Sequence, residues 1–317
     1  MLAKGTTANT TTPIAAPTDT PAFDELIVSY TRSLVAQGLA AGSVERYVNE
    51  LRLVRAFVSA HDLPRDPRAL GKADLEAYFS AELARRTAHT VKCGYIIIGA
   101  FFGWLLAEEE ITVSPLAHMK APRTPPVPPA PVLPPEAISA ILKTCAGNTF
   151  TERRDLAILR TLLDTGLRRA ELAALIAADI DLNRQTIRVR HGKGDKPRTV
   201  FLGAKAVRAL DRYTRARPTH PHAALPQFWL SERGALSAKG VYELVGKRAL
   251  QAGLPDVYTH LFRHTWAHLW RDAGGSDSDL MTMAGWSSLA MAGRYGASAQ
   301  VARAQKAHKL FSPGDRF

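Results

Sequence analysis

His260 and Arg263 stand three residues apart, Tyr295 comes nine residues after Gly285-Trp286, and far upstream the run Thr165-Gly166-Leu167-Arg168-Arg169-Ala170-Glu171-Leu172 holds two adjacent arginines. Guanidinium, imidazole, indole and phenol groups are the side chains that could converge on one phosphate and cut a nucleic-acid strand without a metal. On a helix, positions i and i+3 share a face, so His260 and Arg263 can point into one site. Arg168 follows a glycine that ends one helix and lies near the first turn of the next, where unpaired backbone N–H groups favour an anion. Lys193 occupies the glycine-flanked turn Gly192-Lys193-Gly194-Asp195, from which its amine can reach outward; Lys196 is close enough to compete with it. Each motif alone is weak, since a His-x-x-Arg pair arises by chance in roughly one chain in a few of this length. Order and context carry the argument. His260, His264 and His268 recur at i, i+4 and i+8, but His264-Thr265-Trp266-Ala267-His268 lacks the glutamate of the zinc-protease motif, so no metal is expected.

The elements that must position these groups fall in two parts. Between Pro122 and Pro135, in PRTPPVPPAPVLPP, lie eight of the chain's 20 prolines. Their fixed φ and missing N–H groups predict an extended, semi-rigid linker. Before it, the pattern predicts helices near 22–37, 43–61, 72–84 and 88–108. In the second of these Val44, Tyr47, Leu51, Val54 and Val58 form one apolar face beside Val48, with Ser43 as N-cap and Asp62-Leu63-Pro64 as terminator. After the linker, helices are expected near 135–145, 151–164, following Gly166, and near 204–216, 237–251, 260–273, 277–284, 289–295 and 298–308. Asp179 to Leu182, Gln185 to His191 and Arg198 to Leu202 read as three short strands, joined by Asn183-Arg184 and the Lys193 turn. The fold class is therefore mainly α, an all-helical unit followed by an α-rich unit with a small three-stranded antiparallel sheet. No internal repeat is evident.

Composition narrows the partners. The chain has 317 residues, 46% hydrophobic and 22% charged, with a formal charge of +12. Residues 121–317 hold 29 Lys and Arg against 16 Asp and Glu, or +13, whereas residues 21–120 hold 11 against 12, or −1. The basic excess accompanies the phosphate-binding side chains, which favours a polyanionic partner. Any basic surface on the first unit must be one-sided; Arg46, Arg52, Arg85, Arg86 and Lys92 are its DNA-facing candidates, joined in the second unit by Lys196 and Arg198. Cys93 and Cys145 give neither a disulfide framework nor metal spacing, which fits a reducing cytoplasm. The first 21 residues, rich in Thr, Ala and Pro, are expected to form a disordered tail. The apolar run Ile96 to Ala107 is too short for a bilayer and contains two glycines, so it reads as a buried core helix, with no membrane role.

The ordered set TGLRRAEL, HGKGDKPR, HLFRH and Gly-Trp followed by Tyr resembles the tyrosine recombinase family, to which phage integrases and Xer recombinases belong. The resemblance runs from about residue 22 to the end. It implies a helical core-binding domain over 22–119, a linker over 120–135 and a catalytic domain over 136–317, with a C-terminal helix that docks on a neighbouring protomer. It implies Arg168, Lys193, His260, Arg263, Trp286 and Tyr295 as the active-site set, with Glu171 and His264 in support and no cofactor. Tyr295 would attack phosphorus, the arginines would hold the nonbridging oxygens, His260 would help take the phenolic proton and Lys193 would protonate the departing 5′ oxygen. Many members carry histidine where this chain has Trp286; indole offers one N–H donor and cannot titrate, so its role would be orientation and packing. Double-stranded DNA would be the partner, and paired sites would call for a homotetramer, or a heterotetramer with a related recombinase. The lack of room for a folded N-terminal arm domain implies a simpler, Xer-like recombinase. Two alternatives stay open at this point: a type IB topoisomerase, and a non-catalytic DNA-binding protein of the same fold.

Overall fold

The computed structural model describes residues 22–125, 130–190, 197–288, 293 and 300–316. The chain divides into two compact units, Met1–Val127 and Pro128–Phe317.

Among the described residues, four α-helices make the first unit: α1 (Ala22–Ala36), α2 (Ala41–Ala60), α3 (Lys72–Arg85) and α4 (Ala88–Ala107). The apolar face read from the α2 sequence is the buried one, through Val44, Leu51, Val54 and Val58. Ser43 does not cap that helix; it lies inside the first turn, and Ala40 takes the N-cap position with no side-chain bond. The helix closes at His61, after which Asp62 turns with φ 51°. Helix α4 is long and apolar enough to cross a membrane. It instead directs Ile98, Phe101, Phe102 and Leu105 into a core shared with Phe23, Tyr30, Leu51 and Tyr78. Burial of each such side chain contributes roughly 1.5–3 kcal/mol.

Glu50 and Glu82 are also buried in this unit, an arrangement the apolar pattern does not reveal. Arg86 joins them, donating from Nη2 to Glu50 at 3.0 Å and from Nη1 to Glu82 at 2.6 Å. Arg85 pairs with Glu82 as well. These two arginines, expected to face DNA, are thus engaged by acids of their own unit because a buried carboxylate requires a cationic partner. Arg46 and Arg52 are exposed and Lys92 is half-buried.

In the second unit α5 (Pro135–Lys143) starts on the last proline of the proline-rich stretch, a favoured first helical position. Helix α6 (Phe150–Thr165) opens with a capping box in which Thr149 and Glu152 exchange backbone-to-side-chain bonds of 3.2 and 3.0 Å. It packs against α8 (Ala204–Ala216) and α10 (Thr259–Asp272). The short α7 (Arg169–Ala173) packs against α9 (Ala238–Gln251). Strands β1 (Ile180–Asp181), β2 (Thr186–Val189) and β3 (Arg198–Phe201) form an antiparallel sheet in that order, with Ile187 opposite Val200. A second hairpin, β4 (Leu230–Ser231) with β5 (Gly234–Ala235), was not evident in the sequence. Helices α11 (Asp277–Ala284) and α12 (Gln300–Phe311) follow. The expected tail 1–21, most of the expected helix 289–295, and Lys193, Lys196 and Tyr295 lie outside the described residues.

Candidate active site

Two glycines place the arginines. Gly166 ends α6 in the left-handed region at φ 58°, and a Cβ there would overlap the Trp266 ring. Gly285 ends α11 in the same way at φ 64°. Helix C-termini carry a partial negative charge, and Arg263 of α10 receives both. Its Nη1 donates to the Gly166 carbonyl at 2.5 Å and its Nη2 to the Ala284 carbonyl at 2.9 Å. Arg263 is only 1% exposed, and its guanidinium carbon lies 5.1 Å from the centre of the Trp286 ring, a cation–π contact. Trp286 is itself buried with Trp266, Leu280 and Met283. The indole therefore packs beneath Arg263.

Arg168 follows the Gly166 turn and is aimed by Glu171. One carboxylate oxygen accepts from Arg168 Nη1 at 2.8 Å and the other from the Arg168 backbone N–H at 2.8 Å. The N–H expected to welcome a phosphate is thus taken by a side chain of the same helix. Glu171 also receives Arg198, from Nη1 at 3.0 Å and Nη2 at 2.7 Å. Burial alone would raise this carboxyl, but the hydrogen bonds and charges of Arg198 and Arg168 outweigh it and hold the pKa at about 2.

Arg198 does not face outward as a DNA contact. Its side chain is 8% exposed, and its Nε donates to the Met283 carbonyl at 2.8 Å. The signal was present in the sequence: side chains alternate along a strand, so Arg198 shares the inward side of β3 with buried Val200. Arg198 ties β3, α7 and the end of α11 together.

His260 and His264 stand one turn apart on α10, with ring centres 5.1 Å apart and planes at 80°. Desolvation, then the Arg263 and Arg168 charges, lowers the His260 pKa below the ordinary histidine value. Desolvation, then His260 and Arg263, lowers His264 to about 4. Both imidazoles are neutral near pH 7. His260 and Arg168 line one cavity of about 350 Å³ together with Arg169, Tyr242, Tyr258 and Thr259. Arg168, Glu171, His260, Arg263, His264 and Trp286 gather where α6, α7, α10 and α11 meet. The arrangement presents guanidinium donors and a neutral imidazole beside an acid-free cavity, suited to an anionic ester.

Residues 131–301 match the phage integrase family. Over 289 residues the chain is 27% identical to a tyrosine recombinase XerC of Syntrophus aciditrophicus, covering 86% of this chain and 93% of that one. It is 30% identical over 260 residues to a XerC of Corynebacterium efficiens, covering 81% of each. Among solved structures, the Tn1549 transposon integrase in complex with a circular intermediate DNA superposes with a TM-score of 0.72 at 18% identity, over 90% of this chain and 99% of that one.

Proposed function

The chain belongs to the phage integrase family and is a site-specific tyrosine recombinase of Xer type; from that premise we propose that it breaks and rejoins double-stranded DNA through Tyr295. The phenolic oxygen attacks phosphorus, the bond to the 5′ oxygen breaks, and a 3′-phosphotyrosyl link forms. His260 takes the phenolic proton, while Lys193 gives a proton to the leaving oxygen. Attack by a 5′ hydroxyl from the partner strand reverses the step, and because the ester link is conserved no ATP is required. Arg168 and Arg263 hold the nonbridging oxygens.

The observation that best supports this reading is that Glu171 fixes Arg168, the Gly166 and Ala284 carbonyls fix Arg263, and His260 lines one cavity with Arg168. The chain's similarity to recombinases over most of its length does not favour a type IB topoisomerase or a non-catalytic binder. The test uses a DNA site nicked beside the scissile phosphate: wild type should trap a covalent adduct on a denaturing gel and Tyr295→Phe none. An equal yield from both proteins would refute the role of Tyr295.

Unit 1 is proposed as the core-binding clamp, with Arg46, Arg52 and Lys92 toward the DNA backbone, and the site of action as cytoplasmic. Recombination between two duplexes needs four strand cuts, so a homotetramer on paired sites, or a heterotetramer with a related recombinase, is the proposed assembly. Helix α12 leaves Leu310 77% and Phe311 66% exposed, apolar surface suited to a neighbouring protomer. Truncation after Gly296 should preserve DNA binding and impair ordered assembly in native-gel analysis; unchanged recombination would count against it.

A further inference from the structure

Arg168 and Arg169 are adjacent in sequence but differ in environment. Arg168 is clamped by Glu171, whereas Arg169 is exposed and, among the described residues, forms no ion pair. Its guanidinium carbon instead lies 5.5 Å from the centre of the Tyr242 ring. Tyr242 is not a core residue: α9 buries Val241, Leu244 and Val245 and leaves Tyr242 48% exposed. Stacking on an aromatic face holds a guanidinium in place while its edge donors stay available. It also reduces the rotamer entropy lost when those donors meet a ligand.

The surroundings select the ligand. The cavity of about 350 Å³ shared by Arg168, Arg169, Tyr242, Tyr258, Thr259 and His260 has no carboxylate among its lining residues. Two guanidinium groups, an imidazole and three hydroxyls line it, a set dominated by donors and positive charge. We propose that Arg169, pre-oriented by Tyr242, binds a second DNA phosphate next to the one that is cut. This inference rests on the recombinase reading of the same site. Arg168 and His260 hold the reacting group, and the neighbouring guanidinium fixes the register of the strand beside it. Such a contact adds affinity without reading sequence.

The number of phosphates neutralised is measurable, because each contributes about −0.9 to the slope of log K against log salt concentration. Full-length protein in the Tyr295→Phe background, which binds without reacting, is titrated by fluorescence anisotropy over a salt series against the duplex that wild type cuts. Arg169→Gln should flatten the slope by about 0.9, and Arg169→Lys should restore it. Tyr242→Leu should weaken binding while Tyr242→Phe, which keeps the ring, should not. Thermal melting verifies that each variant is folded. An unchanged slope and affinity in folded Arg169→Gln overturns the inference, as does equal binding by Tyr242→Leu and wild type. Failure of the recombinase reading itself is seen separately, as the absence of any covalent adduct between wild type and DNA.

Discussion

The carboxylate of Glu171 lies 2.7 Å from Nη2 and 3.0 Å from Nη1 of Arg198, a two-point ion pair between α7 and β3 in which both side chains are nearly inaccessible. The same carboxylate holds Arg168, so one acid sets the position of the Arg168 guanidinium and of the strand behind it. Removing it should separate stability from chemistry.

Glu171→Ala leaves a buried guanidinium without its anion, which costs about 3–5 kcal/mol of stability. Replacing both partners, Glu171→Met with Arg198→Met, removes the charge as well as its counter-charge and should recover most of that loss in denaturant titration. Cleavage should not recover, because Arg168 still lacks its clamp. A double variant as unstable as the single would show that the pair is not the source of the loss.

Arg168→Ala and Arg263→Ala should each slow adduct formation by on the order of 10²-fold or more, as loss of a transition-state donor does. Their stabilities should differ. Arg263→Ala strips the Gly166 and Ala284 carbonyls of their donor, at about 1–3 kcal/mol for each group left unsatisfied, whereas Arg168 is half-exposed and bonds chiefly to Glu171. Single-turnover gels and thermal melts on the same preparations test both parts; equal melting temperatures would contradict the proposed bridging role of Arg263.

Gly166→Ala should destabilise by on the order of 3 kcal/mol, from a left-handed residue that acquires a Cβ and from overpacking against Trp266. Because the Gly166 carbonyl anchors Arg263, slower cleavage should accompany the lower denaturation midpoint. Gly253→Ala offers the comparison: it shares a positive φ of 78° but has open space around its Cβ, so only the smaller backbone cost should appear.

Most helices and all three strands of the main sheet were legible because hydrophobic period and turn residues are local properties of the sequence. The spacing of His260 and Arg263, and Gly166 before Arg168, made these residues candidates for the same reason. Glu50 was not legible, since its burial depends on Arg86, 36 residues away. Arg198 carries conflicting local signals, its charge suggesting surface and its place beside inward-facing Val200 suggesting core; Glu171, 27 residues away, supplies the counter-charge that resolves the conflict. The β4–β5 hairpin was too short to produce a period.

The depressed imidazoles predict two acid dependences. His264, at about 4 in the folded chain against roughly 6.5 when unfolded, binds fewer protons folded than unfolded between those values. Its contribution is therefore fully present above pH 6.5 and is lost as pH falls toward 4. His260 is shifted in the same direction, so His264→Gln should reduce the slope of stability against pH in that window, and the double variant with His260→Gln should reduce it further. Cleavage should follow the same sign, because only neutral His260 can accept the phenolic proton. Measured with subsaturating enzyme, so that the free protein's ionisation is reported, the acid limb should have its midpoint below 6.5. Arg263 and Arg168 are the charges that add to desolvation in lowering His260, so Arg168→Ala should move that midpoint upward, even as the maximal rate drops. A midpoint that stays put in Arg168→Ala would mean that the limb belongs to another group and that His260 is not the proton acceptor.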